Sequence, residues 1–293
     1  MIDWTRVGRA VYRVRQHYRY TYTGPVWDLT QRLLMVPRDR HRDQLLLAWD
    51  LDVRGTEGDH RVAWERDGFG NRVARVFAGR VPVAIDFEAT FRVERRRTDT
   101  AAPVPAPWAG REEMARYLEP TALTAPDARI ERAARGIADE TRDRRERALL
   151  AFEWATRAIK YEYGVTGYTT PAAMALHLGR GVCQDYAHLL LAALRLLGVP
   201  CQYVSGHLLG EGAPHAWIEA FLPLADDQRL VEVMAYDPTH GRLTRLDYVT
   251  VAVGRDFGDV SPTSGVYSGR ATGRLAASKK AEVVEQEPVE AVA

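Results

Sequence analysis

The sequence predicts an α+β protein, an all-β N-terminal module followed by helices packed on a mostly antiparallel sheet. Three observations predict it. Up to about residue 97, apolar and polar residues alternate with the period of two that a half-buried strand requires. From 127 to 197, apolar residues recur at helical spacing. From Cys201 onward, short apolar runs return between turn residues, and helices followed by strands is an α+β order rather than a doubly wound one. The expected organisation is an N-terminal β domain over 1–98, a proline-rich linker over 99–112, a core over 113–270 and a flexible tail over 271–293.

The elements follow in order. Tyr18-Arg19-Tyr20-Thr21-Tyr22 alternates and is rich in aromatic and β-branched residues, as is the stretch 81–93; residues 44–53, 61–65 and 72–77 read as strands between them. Asp67-Gly68-Phe69-Gly70-Asn71 is a turn. Pro103, Pro105 and Pro107 mark the linker. Residues 127–139 and 143–161 read as helices, the second with a stripe of Ala148, Leu149, Phe152, Ala155 and Ile159. Thr170-Pro171-Ala172 predicts an N-cap with proline at the first helical position, ended by Gly179-Arg180-Gly181. A helix over 183–197 is apolar on nearly every side beyond its first turns, so it is expected to be buried. Strands are expected at 201–206, 216–222, 230–236 and 249–253; small residues, Lys279-Lys280 and scattered glutamates suggest the tail.

Composition narrows the function classes. Forty basic and 39 acidic residues leave a formal charge of +1, without the basic domain of a nucleic-acid binder. No apolar run approaches the roughly 18 residues of a membrane span, and Met1-Ile2-Asp3-Trp4-Thr5-Arg6 has no apolar signal region. Two cysteines do not make a disulfide framework, and a cytoplasmic protein with reduced thiols is expected.

The chemistry concentrates in Gly181-Val182-Cys183-Gln184-Asp185-Tyr186-Ala187-His188. Cys183 stands at a helix start, where unpaired N–H groups favour a thiolate. His215, on a strand with Trp217 and Glu219 on the same face, is a candidate base; Asp237, at a strand end before proline, is a candidate orienter for it. The backbone N–H of Gln184 beside that of Cys183 is a candidate oxyanion donor, and His188 one turn later a supporting hydrogen-bonding residue. Cys201, without polar company, reads as filler. Cys183, His188, Cys201, His207 and His215 lack the paired spacings of a zinc site, and Gly179-Arg180-Gly181 lacks the Lys-Ser/Thr of a phosphate loop, so no metal or cofactor is expected.

Gly181 to His188, Leu197-Gly198-Val199-Pro200-Cys201-Gln202-Tyr203-Val204-Ser205-Gly206, His215-Ala216-Trp217 and Asp237-Pro238-Thr239 together resemble a bacterial transglutaminase-like protein. The N-terminal β region resembles the domain that accompanies this core in bacteria, and the stretch from Val253 to Pro262 resembles a C-terminal signature of that subfamily. The resemblance implies a papain-like core with Cys183 as nucleophile, His215 as base and Asp237 as orienter, acting on a peptide or protein amide. Hydrolysis is expected, with transfer to an amine and a catalytically inactive binding module as alternatives. The resemblance also suggests ATP-grasp partners in a peptide-tag pathway. The calcium dependence of animal enzymes is not implied, since no acidic loop of the EF-hand kind is present. His240 stands where the family more often has asparagine.

Overall fold

The computed structural model describes residues 2–97, 102–224 and 227–289. Two antiparallel sheets form the N-terminal half. Strands Val7–Tyr22 and Ala84–Arg96 lie side by side at the centre of one, with Gln44–Arg54 beyond. Strands Val26–Leu33, Arg72–Val81 and His60–Arg66 form the other. Alternation decides their faces: Tyr18, Tyr22, Ile85 and Phe87 of the first sheet meet Val26, Leu29, Leu33 and Val76 of the second in one buried cluster. The outward residues pair across strands, as Arg15 with Glu88 at 2.8 Å and Arg19 with Asp86 at 2.7 Å. Such exposed pairs add only about 0–1 kcal/mol each, so apolar burial holds the sandwich.

Both sheets are completed from the far end of the chain. Thr263–Ser268 pairs with Val26–Leu33, and Gly273–Pro288 pairs with Val7–Tyr22 along nearly its whole length. The expected flexible tail over 271–293 is therefore corrected within the described residues. A low-hydropathy segment needs no core of its own when it satisfies an existing strand's backbone. Val26–Leu33 was likewise not anticipated as a strand. The linker also needs correction. Residues 99–101 of the expected 99–112 segment lie outside the described residues, but Val104–Pro105 pairs with Asp227–Asp237, Trp108 is buried against Tyr117 and Phe221, and helix Arg111–Leu118 begins inside it.

In the second half, helix Cys183–Leu196 lies in the middle, with helices Ala128–Glu140, Arg144–Ala158 and Ala172–Leu178 on one side and the sheet on the other. Leu189, Leu190, Leu191 and Leu194 are all fully buried, each contributing about 2 kcal/mol of apolar burial. Asp127 and Asp143 cap their helices by accepting backbone N–H groups. At the short helix the expected cap is corrected: the Thr170 hydroxyl accepts from the Gly167 N–H instead, and Pro171 occupies the N-cap position. Gly179 ends that helix in the left-handed conformation, as its φ of 66° allows. The sheet runs Arg242–Leu243, Asp227–Asp237, His215–Leu224, Cys201–Leu208, Tyr248–Gly254, all antiparallel.

Tyr248–Gly254 ends this order, and an edge strand leaves backbone groups that need partners. Two buried amides of the sandwich supply them. Gln44 donates to the Thr250 carbonyl at 2.8 Å and accepts its N–H at 2.9 Å. Asn71 donates to the Val253 carbonyl at 2.7 Å and accepts its N–H at 2.9 Å. Asn71 is presented by the Asp67–Asn71 turn, in which Asp67 Oδ1 accepts the N–H groups of Phe69 and Asn71. A buried carboxylate adds a further link: Glu219, on the strand of His215, meets His41 at 3.0 Å, Arg42 at 3.3 Å and Gln202 at 2.7 Å. Burial would raise its pKa, but the cations and hydrogen bonds prevail and hold it well below the ordinary range.

Asn71→Ala orphans both a buried N–H and a buried carbonyl on Val253. We expect it to lower stability by roughly 2–6 kcal/mol in urea denaturation, at about 1–3 kcal/mol per abandoned group. A loss near zero would show that the amide clamp does not hold the edge.

Candidate active site

Helix Cys183–Leu196 starts where Gly181 closes a short parallel pairing with Lys160–Tyr161. A Cβ on Gly181 would stand 2.5 Å from Asp185 Oδ2, so only glycine lets the chain turn this tightly. Asp185, at the third helical position, accepts the Val182 N–H at 2.8 Å and the Thr166 hydroxyl at 2.6 Å. This fixes the first turn and leaves the backbone N–H groups of Cys183 and Gln184 at the helix's open end. Cys183 is half-buried. The Gln184 side chain is turned aside, donating to the Tyr168 carbonyl at 3.2 Å.

His215 begins its strand and is buried. Cys183 lies close enough to its ring to act on its charge state. Its Nε2 lies 2.8 Å from Asp237 Oδ2. Trp217 follows on the same face, its ring 6.2 Å from that of His215 and 5.3 Å from that of Tyr248. Gly206, opposite His215, makes this possible: a Cβ there would stand 2.5 Å from the Trp217 ring and 2.1 Å from the Val249 carbonyl.

Asp237 is fully buried and saturated with donors. Oδ1 accepts the N–H groups of Thr239 at 3.0 Å and His240 at 3.2 Å. Oδ2 faces His215, the Tyr248 hydroxyl at 2.6 Å and His240 Nδ1 at 2.7 Å. Burial would raise its pKa; the hydrogen bond and charge of His215, then Tyr248 and His240, bring it down to about 2. For His215, burial would lower the value, but the hydrogen bond to Asp237, the nearby Cys183 and the charges of both raise it to about 10. An imidazolium near a cysteine is the partner a thiolate needs.

The structure thus brings Cys183, His215 and Asp237 together, with Trp217 behind them. His188 stands apart. It is fully buried, its Nε2 accepts the Phe257 N–H at 3.2 Å, and burial brings its pKa down to about 3, so it is a neutral fastening for the loop after Gly254. Cys201 is buried in the core, and burial pushes its thiol up to about 11. Three residues at the site were not singled out from the sequence. Tyr248 reaches Asp237 only through the sheet's order. Asp185 carries a local signal, an acid three residues after the N-cap. Glu211 lies on the loop before His215, with carboxylate oxygens 3.5 Å from His215 Nδ1 and 3.1 Å from His240 Nε2. Lys279, on the strand once expected as tail, donates to the Ala213 carbonyl at 2.8 Å and so holds this loop.

The raised His215 value has a consequence for stability. An unfolded imidazole loses its proton near 6.5 and the folded one near 10, so the stabilisation is complete below 6.5 and disappears as pH rises to about 10. For Asp237 it is present above 3.8 and lost as pH falls to about 2. We expect thermal denaturation to show stability falling between pH 6.5 and 10, and Asp237→Asn to flatten that decline. An equal decline in both proteins would contradict the pairing.

Residues 131–235 match the family described as the transglutaminase-like superfamily, and residues 12–94 match the bacterial transglutaminase-like N-terminal region. The chain is 39% identical over 163 residues to an uncharacterized protein of Mycobacterium leprae (strain TN), a match covering 52% of this chain and 55% of the relative, so it spans about half of that relative's length. It is 29% identical over 291 residues to an uncharacterized protein of Mycobacterium tuberculosis (strain ATCC 25618 / H37Rv), covering 88% of each. In fold it is similar to a candidate cysteine protease of Cytophaga hutchinsonii, with a TM-score of 0.74 at 20% identity over 95% of this chain and 92% of that one. A helix-on-sheet core and a β-sandwich, each under its own family match, make this chain a member of the transglutaminase-like superfamily that carries the bacterial N-terminal region.

Proposed function

We propose that the protein hydrolyses an amide bond of a peptide or protein through a thioester on Cys183. One observation carries the reading: Cys183 sits at the open end of a buried helix, beside an imidazole whose Nε2 is held by a buried, ionised carboxylate. In the proposed reactive form His215 is an imidazolium, its Nε2 held by Asp237 and its Nδ1 bearing the proton drawn from Cys183. Cys183 Sγ then bonds to the amide carbon, and the carbonyl oxygen gains the charge that the N–H groups of Cys183 and Gln184 can receive. The intermediate collapses as the C–N bond breaks and His215 returns the proton to the departing amine. Water then attacks the thioester, giving one proton to His215, and the S–C bond breaks to release the carboxylate product and restore the thiol.

The surroundings of Cys183 suit a peptide. Tyr161, Tyr163 and Tyr168 are exposed on the segment that meets the start of its helix, and the Tyr168 ring stacks on Phe257 at 5.2 Å. Aromatic rings with one wet edge bind extended chains by contact area without demanding one side chain.

Iodoacetamide at low concentration should label the folded protein once, at Cys183, because Cys201 is buried with a raised pKa. Cys183→Ala should lose that label and, on any substrate found in a peptide-library screen, lose turnover by about 10³-fold or more. Mass spectrometry of products with a primary amine added separates hydrolysis from transfer. Full turnover by the alanine variant would end the proposal.

A further inference from the structure

We infer that Glu211, His215 and His240 form a binding site for a divalent transition metal, zinc above all, and that its occupation shuts off the Cys183–His215 pair. One carboxylate, Asp237, holds Nε2 of His215 at 2.8 Å and Nδ1 of His240 at 2.7 Å. That leaves Nδ1 of His215 and Nε2 of His240 as the ring nitrogens turned away from Asp237, and each faces an oxygen of Glu211, at 3.5 Å and 3.1 Å. A carboxylate behind a histidine, fixing its tautomer and aiming its lone pair, is the usual support of a metal-binding imidazole. Here a single aspartate supports two.

The distances fit a tetrahedral ion. With zinc–nitrogen and zinc–oxygen bonds of about 2.0–2.2 Å, neighbouring ligand atoms in a tetrahedron stand about 3.3–3.6 Å apart. Each Glu211 oxygen already stands near this length from one ring, Oε2 at 3.5 Å from His215 Nδ1 and Oε1 at 3.1 Å from His240 Nε2, and one ligand atom from each of the three residues lies within 4.8 Å of the others. Two imidazoles and one carboxylate suit zinc, cobalt or nickel rather than calcium or magnesium, which prefer oxygen. The carboxylates of Asp237 and Glu211 favour a dication. The ion can enter from solvent, since the side chains of Glu211 and His240 are each 35% exposed. Three protein ligands leave a fourth position open.

An ion on His215 Nδ1 displaces the proton that the proposed reaction delivers to the departing amine. That inhibitory consequence rests on the proposed function; the binding itself does not. The set escaped sequence reading because Glu211 and His215, four residues apart, meet His240 only when the loop closes over the sheet end.

The test uses the full chain, freed of metal, with ZnCl₂ followed by calorimetry and CoCl₂ by visible absorption. We expect one ion per chain and the intense bands of four-coordinate cobalt. Glu211→Gln, on an exposed loop where folding is not at stake, and His240→Ala should each weaken zinc binding by about 10-fold or more. Zinc should also protect Cys183 from iodoacetamide. Absence of stoichiometric binding, or unchanged affinity in both variants, would overturn the inference. Zinc binding that follows the variants while Cys183→Ala keeps its turnover would support the site and refute the proposed function instead.

Discussion

A carboxylate with no exposed surface is the constraint around which the site is arranged. Burying an ionised group is costly unless every lone pair finds a donor. Asp237 solves this with five: two backbone N–H groups from its own turn, two imidazoles and one phenol. The arrangement needs the Asp237-Pro238-Thr239-His240 turn, the strand of His215 and the strand of Tyr248 to be in register together. Each partner is useful only because the others remove the rest of the desolvation cost.

Tyr248 ties this local arrangement to the whole molecule. It stands on an edge strand whose outer backbone groups are satisfied by Gln44 and Asn71 of the sandwich. The N-terminal half thus acts on the site by holding the strand that holds the tyrosine that holds Asp237. Glu219, two turns of alternation along from His215, is held by His41 and Arg42 of that same half. The last strand closes the arrangement, pairing with Val7–Tyr22 while Lys279 fastens the loop of Glu211. The sandwich is therefore a scaffold for the core's edge rather than an appended module.

Much of this was legible in the residues. Alternation around Tyr18 and 84–93, the helical stripe of Phe152 and the all-apolar shaft after Cys183 depend on local periodicity, and the α+β fold followed from them. The family resemblance rested on short motifs whose residues meet in space, and the family matches show it. What was hidden has a common cause: it depends on pairing between distant segments. Gly273–Pro288 carries too little hydropathy to announce a strand and forms one only against the edge offered by Val7–Tyr22. The prolines of the linker suggested freedom, yet Val104–Pro105 lies on a sheet edge, where a missing N–H is tolerated. Tyr248 and Glu211 reach the site through sheet order and loop closure, and no spacing in the chain records either. The Asp67–Asn71 turn was visible as a turn, but its use as a mount for Asn71 was not.

The account stands on Asp237 holding His215 as a charged, oriented imidazole. The direct measurement is an NMR titration of the His215 ring in the native protein and in Asp237→Asn. It predicts a ring still protonated at pH 8 in the native protein, titrating near 10, and a marked fall in that value when the carboxylate becomes an amide. A native His215 that titrates near 6.5 and does not shift in Asp237→Asn would contradict it.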